Sequence, residues 1–243
     1  MYYIGSYPNI KEGFLVRNVG NTSSRYINSD EYNDFFSDKN GKALEKALET
    51  RKFEIDLYWR RATYFWTFIG ATFGGFFVAY ASTSTRRQDL LVILCCLGVV
   101  FSFAWFCVNK GSKYWQENWE KHVDLLEDDT IGPLFKTLLT RNDEMSCGDW
   151  VKNVITGPQA LSVSKINQLI SLFVFVLWGL LLVNSLQPMS FDLPLNYFYV
   201  SLVFFTILFC GAFLVLGRTY HGGHYHLATV RKSRIKPEIE TPT

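Results

Sequence analysis

Four stretches of this chain carry no Asp, Glu, Lys, Arg or His: Tyr64–Ser82, Leu90–Val108, Ile166–Leu186 and Tyr197–Gly217. Each is 19 to 21 residues long. A helix rises about 1.5 Å per residue, so each run would reach roughly 30 Å, the thickness of a bilayer's hydrocarbon core. A buried helix of that length in a soluble protein shows a polar stripe, and none of the four has one. The runs therefore predict an all-α integral membrane protein with four transmembrane helices. Between them lie the charges, 24 Lys and Arg against 22 Asp and Glu, for a net charge of +2. That balance lacks the basic stripe needed to neutralise a phosphate backbone, which argues against a nucleic-acid partner.

The placement of Lys and Arg sets an expected orientation. Lys46, Arg51, Lys52, Arg60 and Arg61 precede the first run; Lys110, Lys113, Lys121, Lys152 and Lys165 stand between the second and third; Arg218, Arg231, Lys232, Arg234 and Lys236 follow the fourth. The two loops on the other side hold only Arg86 and Arg87. The positive-inside rule then puts both termini and the central segment in the cytoplasm. The first twenty residues lack a basic start followed by an apolar core, so no cleavable signal is expected and the first span should direct insertion.

The domain plan predicted from these features is an N-terminal cytoplasmic segment (1–41), a juxtamembrane helix (42–63), a first transmembrane hairpin (64–108), a cytoplasmic helical segment (109–165), a second transmembrane hairpin (166–217) and a cytoplasmic tail (218–243). Leu44, Leu48, Ile55 and Trp59 recur at helical spacing with no proline before the membrane, predicting one helix from about Lys42 through the first span. Trp115, Trp119, Val123 and Leu126 form an apolar stripe after the second span. That helix should also leave the membrane unbroken unless Gly111 bends it, and Gly132-Pro133 should end or interrupt it. Glu117 and Lys121 are spaced for an i,i+4 pair. Ser162 or Ser164 can cap the third spanning helix, and GFLVRNV near the N-terminus suggests a short strand.

The strings FEIDLYWRRATYFW at 53–66, GSKYWQENWEKHVDLLED at 111–128 and LSVSKINQLISLF at 161–173 stand in this order around the spans. Together they resemble the RipA family of octameric bacterial membrane proteins, from about residue 50 to the fourth helix. The resemblance implies a protein of the bacterial cytoplasmic (inner) membrane that assembles as an octamer. It implies no catalytic residues and no enzyme activity.

Several constellations are candidates for function. Gly70 and Gly74 make a GxxxG pair, and Ala71, Gly75 and Ala79 repeat a small residue every four. In lipid, apolar side chains gain little by associating, so small residues that let backbones approach closely mark helix contacts. The contact can lie between subunits or within the four-helix bundle. Trp59, Trp66 and Trp105 fit interfacial anchors, and Trp115 and Trp119 fit helix packing. His221, His224 and His226 follow the fourth span with glycines between them; they form either an interfacial turn or a weak metal or pH-sensing site. Trp119 stands three residues before His122, so the Glu-x-x-His pair of di-iron helices is absent. Cys95, Cys96, Cys107 and Cys210 lie in apolar runs and Cys147 in a polar loop, a pattern of free thiols rather than a disulfide scaffold.

No nucleotide loop, nucleophile elbow or HExxH motif is present. No charge lies at membrane depth, where pumps and proton-coupled transporters usually need one. The expectation is a non-enzymatic homo-oligomeric scaffold or sensor, a ring of eight, with the lipid bilayer and its own copies as partners and no cofactor. The alternative is an oligomeric channel or pore lined by small polar residues such as Thr72, Ser102 and Ser201.

Overall fold

The structure is a computed structural model that describes residues 27–139, 155–186 and 196–219. Five helices order its main unit, Asn28–Arg218. They are α1 (Ser29–Phe36), α2 (Asn40–Ala81), α3 (Arg87–Leu126), α4 (Val163–Ser185) and α5 (Tyr197–Val215). No strand occurs among the described residues. The all-α prediction with four spans holds: α2 to α5 are each long and apolar enough to cross a membrane. The suggested strand at GFLVRNV lies outside the described residues. The short helix α1, which the sequence reading did not anticipate, begins where Asn28 accepts the backbone N–H of Glu31 at 2.8 Å.

The two longest helices are single rods. At 42 and 40 residues, α2 and α3 extend about 60 Å each. No proline interrupts either, and α3 runs through Gly111 without a break. The serine- and threonine-rich loop after Ala81 reverses the chain, with Ser82 accepting from Ser84 N–H and Ser84 from Arg86 N–H. Helix α3 then starts at Arg87, three residues before the apolar run. Its polar first turn is held in place: the Gln88 amide donates to the Ser185 carbonyl, and the Tyr199 hydroxyl donates to Asp89 at 2.6 Å.

The bundle is built on α3, which packs against α2, α4 and α5. Asn167 at the start of α4 meets α2 and α3 near Tyr58 and Asn109, whereas Ser185 at its end meets Gln88 and Cys95. Consecutive spans therefore run up, down, up, down. Two apolar cores result. The first, between the spans, gathers Phe76, Leu91, Val92, Cys95, Val99, Trp178 and Leu182. The second, where α2 and α3 continue beyond the spans, gathers Tyr32, Leu44, Ala47, Val123 and Leu126. Helix α5 is the most peripheral span, burying only Tyr199 and Thr206.

Helix α3 ends at Leu126, earlier than Gly132-Pro133 suggests. Glu127 is the reason. Its carbonyl accepts the N–H groups of Thr130, Ile131 and Gly132. Its buried carboxylate turns onto the following loop, accepting Phe135 N–H at 2.7 Å and Lys136 N–H at 3.1 Å. Gly132 supplies the left-handed backbone this turn needs, with φ +77°. Ser162 caps α4, accepting the N–H of Lys165.

Candidate functional site

The small-residue face of α2 follows from which residues the helix buries. Ile69, Thr72, Phe76 and Ala79 recur at spacings of three and four and turn inward. Gly70, Ala71 and Gly74 stand between them in sequence and turn outward, exposed. A methyl added at Gly70 or Gly74 would meet no atom within 4 Å. Gly75 is the exception in this group: a methyl there would lie 3.2 Å from Leu94 of α3. The four residues thus divide, with Gly75 at the internal helix pair and the other three facing outward. Thr63 and Thr67 lie on the exposed side of the same helix and bond back to their own backbone at Trp59 and Thr63. Their hydroxyls need no partner across a helix contact, and the surface they leave is smooth.

The tryptophan stripe divides in the same way. Val123 and Leu126 are buried in the second core, and Trp119 packs against it with its ring 5.4 Å from that of His122. Trp115 is 37 % exposed, its edge toward Tyr114. Trp59 and Trp66 are exposed, as anchors would be, but Trp105 is 3 % exposed and lies edge-on to Trp66. The anchor expectation for Trp105 is corrected: its position on α3 faces the partner helix rather than lipid. Glu117 pairs not with Lys121 but with Lys113, which also reaches Glu120 at 3.3 Å.

Between the two cores lies a polar belt that sequence reasoning missed. The Asn167 side chain donates to the Tyr58 hydroxyl at 2.8 Å. The Asn109 amide points to the Asn167 carbonyl and the Ser171 hydroxyl, each at 3.4 Å. Arg61 donates to Ser112 at 3.0 Å and stands 3.8 Å from Glu54. These bonds join α2, α3 and α4 at one level. In a low-dielectric setting such a belt fixes register, because any sliding leaves buried polar atoms unpaired. Isolated Asn, Ser and Tyr residues give no periodic signal, which is why the belt is not legible until the helices are paired.

Beyond the belt, the Tyr32 hydroxyl and Nδ1 of His122 share a hydrogen bond of 2.5 Å that ties α1 to α3. Burial lowers the His122 pKa and raises that of Tyr32. Of the residues considered as pore lining, Thr72 and Ser102 are buried inside the bundle and bond to their own helices, and Ser201 faces outward. Among the described residues there is no group of three or more His, Cys, Asp or Glu side chains placed to hold a metal ion. His221, His224, His226 and Cys147 lie outside the described residues.

No curated protein and no solved structure matches this chain. The octameric membrane protein family (8xMP) matches residues 42–187, a stretch that holds all but the first two residues of α2, all of α3 and α4, the outward glycine face and the whole polar belt. That match covers more than half of the chain, so the chain belongs to the octameric membrane protein family (8xMP).

Proposed function

We propose that the protein is a non-enzymatic homo-oligomeric scaffold or sensor of the bacterial cytoplasmic membrane, built as a ring of eight. In this reading the narrower likeness to the RipA proteins holds, and both termini and the extensions of α2 and α3 lie in the cytoplasm, as the Lys and Arg distribution favours. The observation that carries the proposal is the open space at Gly70 and Gly74. A glycine pair inside a bundle is normally filled by a neighbouring helix; this pair faces away from every described helix. Repeating a heterologous contact through that face about an axis normal to the membrane covers it in every copy, and closure ends the growth of the array. The exposed Trp115 on the α3 extension gives the same contact a second anchor outside the lipid.

The test is mass measurement in nanodiscs. Wild-type protein is expected at eight copies. Gly70→Leu with Gly74→Leu is expected to lower the copy number while the helical signal and the thermal midpoint of the single subunit stay unchanged. A wild-type monomer that added lipid and concentration leave unchanged removes the ring. Loss of monomer stability in the double variant moves the glycine contact inside the bundle.

A further inference from the structure

At the end of the bundle that carries the α2–α3 loop, the spans part around a cavity of about 420 Å³. Its walls are apolar: Phe76 and Phe77 of α2, Leu91 of α3 and Leu181 of α4. Its rim is polar. Arg87 and Asn184 stand there, and the bond from Gln88 to the Ser185 carbonyl closes one side. Phe77 and Tyr80 are exposed on the outer surface of α2, so the cavity opens sideways, toward the surroundings of the spans.

Among the described residues Arg87 is the one charged side chain lining this cavity. Its guanidinium lies 4.8 Å over the Tyr80 ring, and its Nε is buried without a hydrogen-bond partner among the described residues. The carboxylate nearest in sequence, Asp89, is already engaged by the Tyr199 hydroxyl. The residue is half-buried, so the rest of its guanidinium is within reach of a ligand; a buried donor left unused is costly, and the planar fork suits phosphate. The rim lies at the end of the apolar spans, the depth at which lipid headgroups sit. The apolar walls below it fit a hydrocarbon chain, which a free inorganic anion would leave unused. Among the described residues no carboxylate lines the cavity, whereas a guanidinium does, which favours an anionic headgroup over a zwitterionic one.

We propose that this cavity is a lipid site: Arg87 takes the phosphate of an anionic phospholipid, and Phe76, Phe77, Leu91 and Leu181 take the start of one acyl chain. The volume lies at the small end of ligand pockets, which suits a headgroup with part of one chain and leaves the remainder in the bilayer. The lining shares the outer face of α2 with the glycines at Phe77, three residues after Gly74, while Arg87, Leu91 and Leu181 come from α3 and α4; bound lipid is therefore counted per chain.

The experiment is lipid retention by the full chain, purified in mild detergent and then incubated with an equimolar mixture of phosphatidylglycerol and phosphatidylethanolamine. Bound lipid is read by native mass spectrometry. Phosphatidylglycerol is expected to be enriched at one per chain. Arg87→Gln is expected to weaken its retention about tenfold. Arg86→Gln, on the exposed loop outside the cavity, is expected to leave it unchanged. Leu181→Trp fills the cavity but keeps the charge and is also expected to abolish retention. The wild-type titration needs no variant and stands if either substitution impairs folding. Equal retention of both lipids, equal loss in the two arginine variants, or retention by Leu181→Trp overturns the proposal. So does full displacement of phosphatidylglycerol by excess inorganic phosphate, which assigns the site to a free anion.

Discussion

Trp178 has no exposed surface, and its indole lies directly against the backbone of Gly98. One face stacks on Phe73 with ring centres 4.3 Å apart, and Phe76 meets it edge-on at 5.7 Å. A methyl at Gly98 would occupy the space of the indole. Gly98→Ala is therefore expected to push α4 away from α3 and destabilise the bundle by about 1–3 kcal/mol, read as a lower thermal midpoint in detergent. A single Gly70→Ala, with open space around it in the single subunit, should leave the midpoint of the dissociated subunit where it was. His122 gives a second expectation at this scale. It shares a hydrogen bond with the Tyr32 hydroxyl, and burial holds its pKa below the ordinary value of about 6.5. A depressed folded-state pKa means that the unfolded chain binds the proton first. The contribution is present above about pH 6.5 and is lost as pH falls through the folded-state value. The protection of α1 amides, taken relative to their intrinsic exchange rate at each pH, is thus expected to fall between about pH 7 and pH 5, and His122→Gln should flatten that response. A profile identical in the two proteins would separate α1 docking from this histidine.

At the scale of the elements, the long helices were legible and their ends were not. Unbroken runs without proline give α2 and α3 as rods, and the spacing of Leu44, Leu48, Val123 and Leu126 marks the faces that meet beyond the spans. Helix α1 was not legible: eight residues give too little periodicity, and its docking depends on His122, 90 positions away. The end of α3 was placed too late because Gly132-Pro133 is the conspicuous breaker, whereas Glu127 does the stopping through a side chain that reaches forward eight and nine residues. Glu127→Ala leaves the Phe135 and Lys136 N–H groups without their acceptor. It is expected to cost about 1–3 kcal/mol locally, measured as faster amide exchange at those two positions with the spans unaffected. Unchanged exchange there would mean that Gly132 and the ion pair of Lys136 with Asp128 hold the loop by themselves.

For the molecule as a whole, the four apolar runs were enough to give class and span number, because lipid leaves helices as the option for such segments. The outward glycine face was visible as a pattern, but whether it looked into or out of the bundle depended on which neighbouring positions α2 buries, and Ile69, Thr72 and Phe76 decide that only once α3 is packed. The cavity at Arg87 left no trace in the sequence, since its lining comes from three helices. The rods themselves have a mechanical consequence. About 30 Å of each 60 Å helix lies in the hydrocarbon and a similar length projects beyond it, with the polar belt clamping the pair near the exit. Such a pair behaves as a lever with its fulcrum at the membrane surface. When bilayer thickness changes, spans re-tilt to match it, and a tilt of about 10° swings the far tip by roughly 5 Å over that projecting length. The second core and α1 ride on that tip, so a displacement too small to alter packing between the spans arrives there as a shift of about one helical turn.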